Sequence, residues 1–270
     1  MKKLLMWALL AFCMIHAQHV WCADNMPIVM TDAQEKVSSE FGRLDAGLKR
    51  AAVQLGVSGL TGDSARAALA ELCGSFSYAV DCAAVDPKGK MLTIEPAPYR
   101  RFEGADISGQ EQIKRVMRDR KPVLSSVFKT VEGFEALDAE YPVTAQDGSF
   151  LGSVSLLFRP EKLLGDIIQP LVQGIPMDIW AMERGGYILY DADKKQIGLN
   201  LFDSPLYRPY PSLLKLGRQI AQNPTGAGNY NFIDRITKKV VIKNTYWQTV
   251  SMYGTDWRLV GIHVESKKAK

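Results

Sequence analysis

The 270-residue chain predicts an α+β fold: a long N-terminal helix followed by two antiparallel-sheet modules in tandem. Three features carry this. Residues 76–159 and 177–264 repeat one order of strand, polar Gly turn, strand, Gly-x-Asp/Asn step, helix and closing hairpin. The first turn is Asp86-Pro87-Lys88-Gly89 in one half and Glu183-Arg184-Gly185-Gly186 in the other, and the steps are Gly104-Ala105-Asp106-Ile107 and Gly198-Leu199-Asn200-Leu201. The halves share a layout rather than an identity, so the repeat is one of whole modules. Hairpin-joined strands with a helical crossover in each half imply antiparallel sheets with helices on a face.

The N-terminus reads as an export signal: Lys2 and Lys3, an apolar run from Leu4 to Ala17, and a cleavage zone near Cys22-Ala23. A bilayer span takes ~20 apolar residues, so cleavage is the favoured expectation and an uncleaved anchor the alternative. The expected organisation is a signal peptide at 1–23, a helical spine at 24–75, a first module at 76–159, a connecting helix at 160–175, a second module at 176–265 and a basic tail at 266–270.

Thr31-Asp32-Ala33-Gln34 has the form of a capping box. Behind it Val37, Phe41, Leu44, Leu48, Ala52 and Leu55 recur at three and four, one apolar stripe ending near Gly56. A second helix begins near Asp63. From Tyr78 the texture is strand-like: Tyr78–Val85, Lys90–Ile94, Val123–Thr130, Ala136–Thr144 and Phe150–Phe158. Ser108-Gly109-Gln110-Glu111 suggests a capped helix closed by Pro122. The second half gives strands at Asp178–Met182, Tyr187–Asp191, Tyr230–Ile233, Lys239–Tyr246, Thr249–Tyr253 and Trp257–His263, with a helix at Pro211–Ile220. The stretch Asn223–Asn229 reads as a turn.

Composition narrows the function. Lys and Arg number 33 against 29 Asp and Glu, interspersed, so neither nucleic acid nor an acidic membrane surface is called for. Beyond the signal, His263 is the one histidine; a Ser-His-Asp triad or a multi-His metal site would have to be built around it, so the expectation is no enzyme, no metal and no cofactor. The acidic pairs Glu132/Glu135 and Asp191/Asp193 read as solvated turn residues. Cys73 and Cys82 are the exported cysteines, and in an oxidising compartment their default reading is a disulfide.

The order Pro122-Val123-Leu124-Ser125-Ser126-Val127-Phe128, Glu140-Tyr141-Pro142-Val143, Asp147-Gly148-Ser149-Phe150-Leu151-Gly152, Gly186-Tyr187-Ile188-Leu189-Tyr190-Asp191 and Asp256-Trp257-Arg258-Leu259-Val260 resembles the double Cache domain, a tandem PAS-like extracellular sensor. The resemblance covers about residues 30 to 265. It implies a periplasmic or extracellular, free-standing protein that binds a small molecule in the first, membrane-distal-type module and signals through a separate membrane partner: a histidine kinase, chemoreceptor or transporter. The alternative is an interaction module with filled pockets, docking on a receptor or transporter.

The family's amino-acid-binding branch carries Arg-x-Trp-Phe/Tyr just after the Gly-x-Asp step, where this chain has Gly109-Gln110-Glu111-Gln112-Ile113. Its ammonium-binding Asp falls on Leu157. The resemblance therefore disfavours a typical amino acid. A PAS-like pocket between the sheet and the loop-helix segment implies Tyr99, Arg101, Gln110, Ser126, Phe128 and Tyr141 as ligand-binding candidates, with an anionic ligand if an arginine reaches it.

Overall fold

The computed structural model describes residues 2–233 and 240–265. The basic tail at 266–270 and the residue Lys239 lie outside the described residues. Helix α1 runs unbroken over Lys2–Ser58. The capping box at Thr31 does not form, because Thr31 sits inside this helix and its Oγ1 donates back to the carbonyl of Pro27 at 2.9 Å. The buried stripe is as the spacing predicts: Met30, Val37, Leu44, Leu48 and Leu55 are fully buried.

The chain divides into two compact units, neither of them a single stretch: residues 38–163 with 251–255, and residues 1–37 with 164–250 and 256–270. In the first, α2 (Asp63–Gly74) precedes β1 (Ala79–Val85) and β2 (Met91–Glu95). A 3-10 turn at Ala97–Phe102 leads to α3 (Glu111–Asp119), then β3 (Val123–Leu124), β4 (Phe128–Lys129), β5 (Glu135–Thr144) and β6 (Phe150–Phe158). The sheet order is β2-β1-β6-β5-β3, with β4 also on β5. The single strand expected over Val123–Thr130 is thus two short ones. The capping box at Ser108 does not form either; Gln110 is the residue before α3, without a side-chain cap.

The second unit follows α4 (Pro160–Val172) with β7 (Asp178–Glu183), β8 (Ile188–Tyr190), α5 (Pro211–Gln222), β9 (Gly226–Ile233), β10 (Val240–Met252) and β11 (Thr255–Glu265). Its order is β8-β7-β11-β10-β9, the same winding as the first sheet. The two strands expected between 239 and 253 are one long β10. The turn expected at Asn223–Asn229 gives way to β9 from Gly226 onward. Glycine is required there because a Cβ would lie 2.2 Å from the Trp247 ring on the facing strand.

Candidate ligand sites

Register places the polar side chains of the first sheet. Asp81 on β1 and Asp138 on β5 both pair with Leu157 of β6, while Ser155 lies between Ala83 and Glu140. Side chains alternate across a strand, so Asp81, Asp138, Glu140, Ser153 and Ser155 share one face. That face is covered by Ile107 and by Ile113 of α3, which pack with Ala83, Val85, Met91 and Ile94. All five polar residues are at most 4 % exposed.

Buried carboxyls need partners, and here several lack them. Asp81 Oδ2, Asp138 Oδ1, Ser153 Oγ and Thr130 Oγ1 form no hydrogen bond. Burial, with Glu132 and Asp138 nearby, pushes the Asp81 carboxyl up to about 8. Burial likewise lifts Asp138 to about 6, held back by hydrogen bonds with Glu140, Ser155 and Gln112, and lifts Glu140 well above the usual range beside Asp138. A cleft of about 20 Å³ opens onto Asp81, Asp138, Ser155 and Leu157, rimmed by Gln110, Phe128, Thr130 and Glu132.

The residues expected at the site separate. Gln110 and Phe128 line the cleft. With Ser126, which is exposed, they also line an open groove of about 430 Å³ beside α3. Tyr99 packs against the apolar cluster under the 3-10 turn. Arg101 is exposed and lies over the Phe102 ring, 4.9 Å from its centroid. Arg100 is taken by Glu95, at 2.7 Å, and Glu95 is shared with Arg66. Tyr141 has the opposite parity to Glu140 and lies near Asp45, so it and Phe128 do not meet.

Sequence reasoning missed Asp81, Asp138 and Glu140. Their signal was present: Asp138 and Glu140 two apart on one strand and Asp81 within an otherwise apolar one, a pattern that ordinarily marks a solvated face. Cys73 and Cys82 carry separate thiols. They adjoin on the opposite sheet face, where burial and then the Cys73 neighbour raise the Cys82 thiol. Among the described residues no group of three or more His, Cys, Asp or Glu could hold a metal, and no helix is long and apolar enough to cross a membrane. His263 is buried in β11.

In the second unit a cavity of about 160 Å³ lies on the helix-covered face of the sheet, lined by Trp180, Tyr207, Tyr230 and Phe232 together with Asp178, Asp191 and Lys243. Asp191 is raised to about 6 by burial, against the pull of the Asp193 amide, which donates to its Oδ1 at 2.7 Å.

Known proteins fit this geometry. The family model described as "HK/GC/Chemotaxis protein-like, sensor domain" matches residues 39–160, the first unit almost end to end. An extracellular ligand binding receptor from Desulfohalobium retbaense is 34 % identical with a TM-score of 0.75; the match covers 88 % of this chain and 40 % of that one, so the chain spans about two-fifths of that receptor's length. The periplasmic sensory domain of a Campylobacter jejuni chemoreceptor is 12 % identical with a TM-score of 0.61, covering 89 % of this chain and 94 % of that one. The ligand-binding domain of the Pseudomonas fluorescens chemoreceptor CtaA, in complex with L-serine, is 15 % identical with a TM-score of 0.61, covering 91 % and 96 %. No curated protein matches. Residues 39–160 match the HK/GC/chemotaxis protein-like sensor domain, and the chain as a whole has the tandem fold of the double Cache sensor domains it resembles.

Proposed function

We propose that the chain works outside the cytoplasmic membrane as a ligand-binding sensor, taking a positively charged small molecule between Asp81 and Asp138 and reporting occupancy to a separate membrane partner. The observation that carries this reading is the pair of under-satisfied carboxyls sealed on the helix-covered face. Leaving a buried acceptor unmet costs about 1–3 kcal/mol, and an ammonium group donating to both acids would recover it. The anionic ligand expected from the sequence loses its support, because Arg100 is engaged by Glu95 and Arg101 lies on Phe102.

The absence of an Asp at Leu157 loses force too, since a carboxylate stands on each strand flanking that position. The ammonium-bearing L-serine named with CtaA agrees with this chemistry. At about 20 Å³ the cleft holds roughly one or two waters. Ligand entry therefore requires the rim of Phe128, Thr130 and Glu132 to open, and a ligand that binds one arrangement better than the other shifts the population between them.

The test is a thermal-shift screen of the full chain against amines, neutral isosteres and carboxylates at pH 7.5, followed by calorimetry on Asp138→Asn. Amines should raise the melting temperature, and the variant should weaken them about tenfold or more. Stabilisation by carboxylates instead, undiminished in Asp138→Asn, would overturn the reading.

A further inference from the structure

The cavity of the second unit has a different construction. At about 160 Å³ it is several times larger than the 20 Å³ cleft over Asp81 and Asp138, and an apolar cavity of roughly 150 Å³ is enough to hold benzene. Its walls come from β7, β9, β10 and the segments between β8 and α5. Tyr207 is fixed by donating its hydroxyl to Gln196 Oε1 at 3.1 Å. Phe232 is stacked on Tyr210 at 4.6 Å between centroids and meets the edge of Tyr230 at 6.5 Å. Trp180 and Tyr230 are buried in the same cluster.

One interaction within it indicates what it favours. Lys243, opposite Tyr230 in the β9–β10 register, holds its ammonium 4.5 Å from the Phe232 centroid. With Tyr210 stacked on it and this ammonium over it, Phe232 is taken, and the aromatic groups that remain to meet a ligand cation are the other lining rings, Trp180, Tyr207 and Tyr230. Asp178, Asp191 and Asp193 supply carboxylates at the same cavity, three negative groups against the one ammonium.

We infer that this cavity is a second ligand site, independent of the first, and that it takes a compact organic ammonium ion of about six to ten heavy atoms, with the charge toward Asp191 and the hydrocarbon against Trp180, Tyr207 and Tyr230. Both ends of such a ligand find a partner. A small carboxylate would meet three acids, and a purely apolar molecule would leave Asp191 with Lys243 as its counter-charge and nothing gained at the acids.

The experiment is calorimetry on the full chain with benzylammonium, benzyl alcohol and benzoate, three probes of nearly equal size. Benzylammonium should bind, the alcohol about tenfold or more weakly, and benzoate more weakly still. Asp191→Asn should weaken benzylammonium about tenfold, while Lys243→Met, which removes the competing charge, should strengthen it several-fold. All of these titrations are run in the Asp138→Asn background, which weakens amine binding in the other sheet and so separates the two sites. With Asp178, Asp193 and Lys243 as the other charged groups on the walls, affinity should fall from pH 8 to pH 5 as Asp191 takes up a proton. Circular dichroism confirms that each variant is folded. Benzylammonium heat that persists undiminished in Asp138→Asn/Asp191→Asn, benzoate binding as tightly as the amine, or no heat from any probe would each overturn the assignment.

Discussion

Asp81 and Asp138 never pair with each other, yet both face Leu157, one from each side of the same strand. Two strand spacings separate them, about 10 Å. Their carboxyls keep protons in the folded chain at pH values where the unfolded chain has lost them, so the folded state binds more protons between about pH 4 and pH 8. The stability this contributes is complete below pH 4 and declines as pH rises through about 6 for Asp138 and about 8 for Asp81. Urea denaturation should show a loss of about 1–4 kcal/mol from pH 5 to pH 8. Asp81→Asn should flatten the upper part of that slope, and an unchanged slope would contradict the assignment.

Gly226 exists for Trp247. A methyl group there would sit 2.2 Å from the indole, whose Nε1 donates to the Asn223 carbonyl at 3.1 Å and so resists moving. Gly226→Ala should destabilise the chain by about 2–4 kcal/mol in denaturant. Gly254 makes a useful comparison, with φ at 84° and open space around it; alanine there should cost only about 1 kcal/mol.

Arg258, 2 % exposed, closes the end of α5: its Nε donates to the Ile220 carbonyl at 2.9 Å and its Nη2 to that of Ala221 at 3.3 Å. A cation at a helix C-terminus also meets the negative end of the helix dipole. Arg258→Met leaves those carbonyls unmet and should lower stability by about 2–4 kcal/mol, read as a shift in the denaturation midpoint without change of slope.

Cys73 and Cys82, side by side as thiols, are placed for the disulfide the sequence suggests. Export to an oxidising compartment should join them, seen as a loss of about 2 Da in intact mass and of both titratable thiols. Closing so short a loop should contribute about 2–3 kcal/mol, and Cys82→Ser should behave like the reduced chain. Two reactive thiols in the exported protein would exclude the bond.

Two antiparallel sheets were readable in the sequence because each strand carries an apolar run punctuated by glycine turns, whereas their strand order was not. The helix stripe at Val37–Leu55 was readable for the same reason. What escaped depended on distant partners. Thr31 looked like a cap because nothing local says that residues before it are helical. Asp138 and Glu140 drew no functional reading, because alternation along a strand reports a polar face and not the helix that covers it. Arg101 looked like a ligand group because its stacking on Phe102 leaves no mark in spacing. The second cavity left no mark in spacing either, since Tyr230 is buried whether or not a space lies beside it.

The hairpin tip between β10 and β11 belongs to the first compact unit, where Tyr253 donates to Asp45 and Thr255 to the Leu124 carbonyl at 2.7 Å. The N-terminal half cut out as a separate fragment at residue 163 would therefore lack two donors that its own polar groups require. Deletion mapping of this chain is better done on the intact polypeptide with inactivating substitutions in place of truncations, because during synthesis these two contacts form only once a turn nearly a hundred residues later has been made.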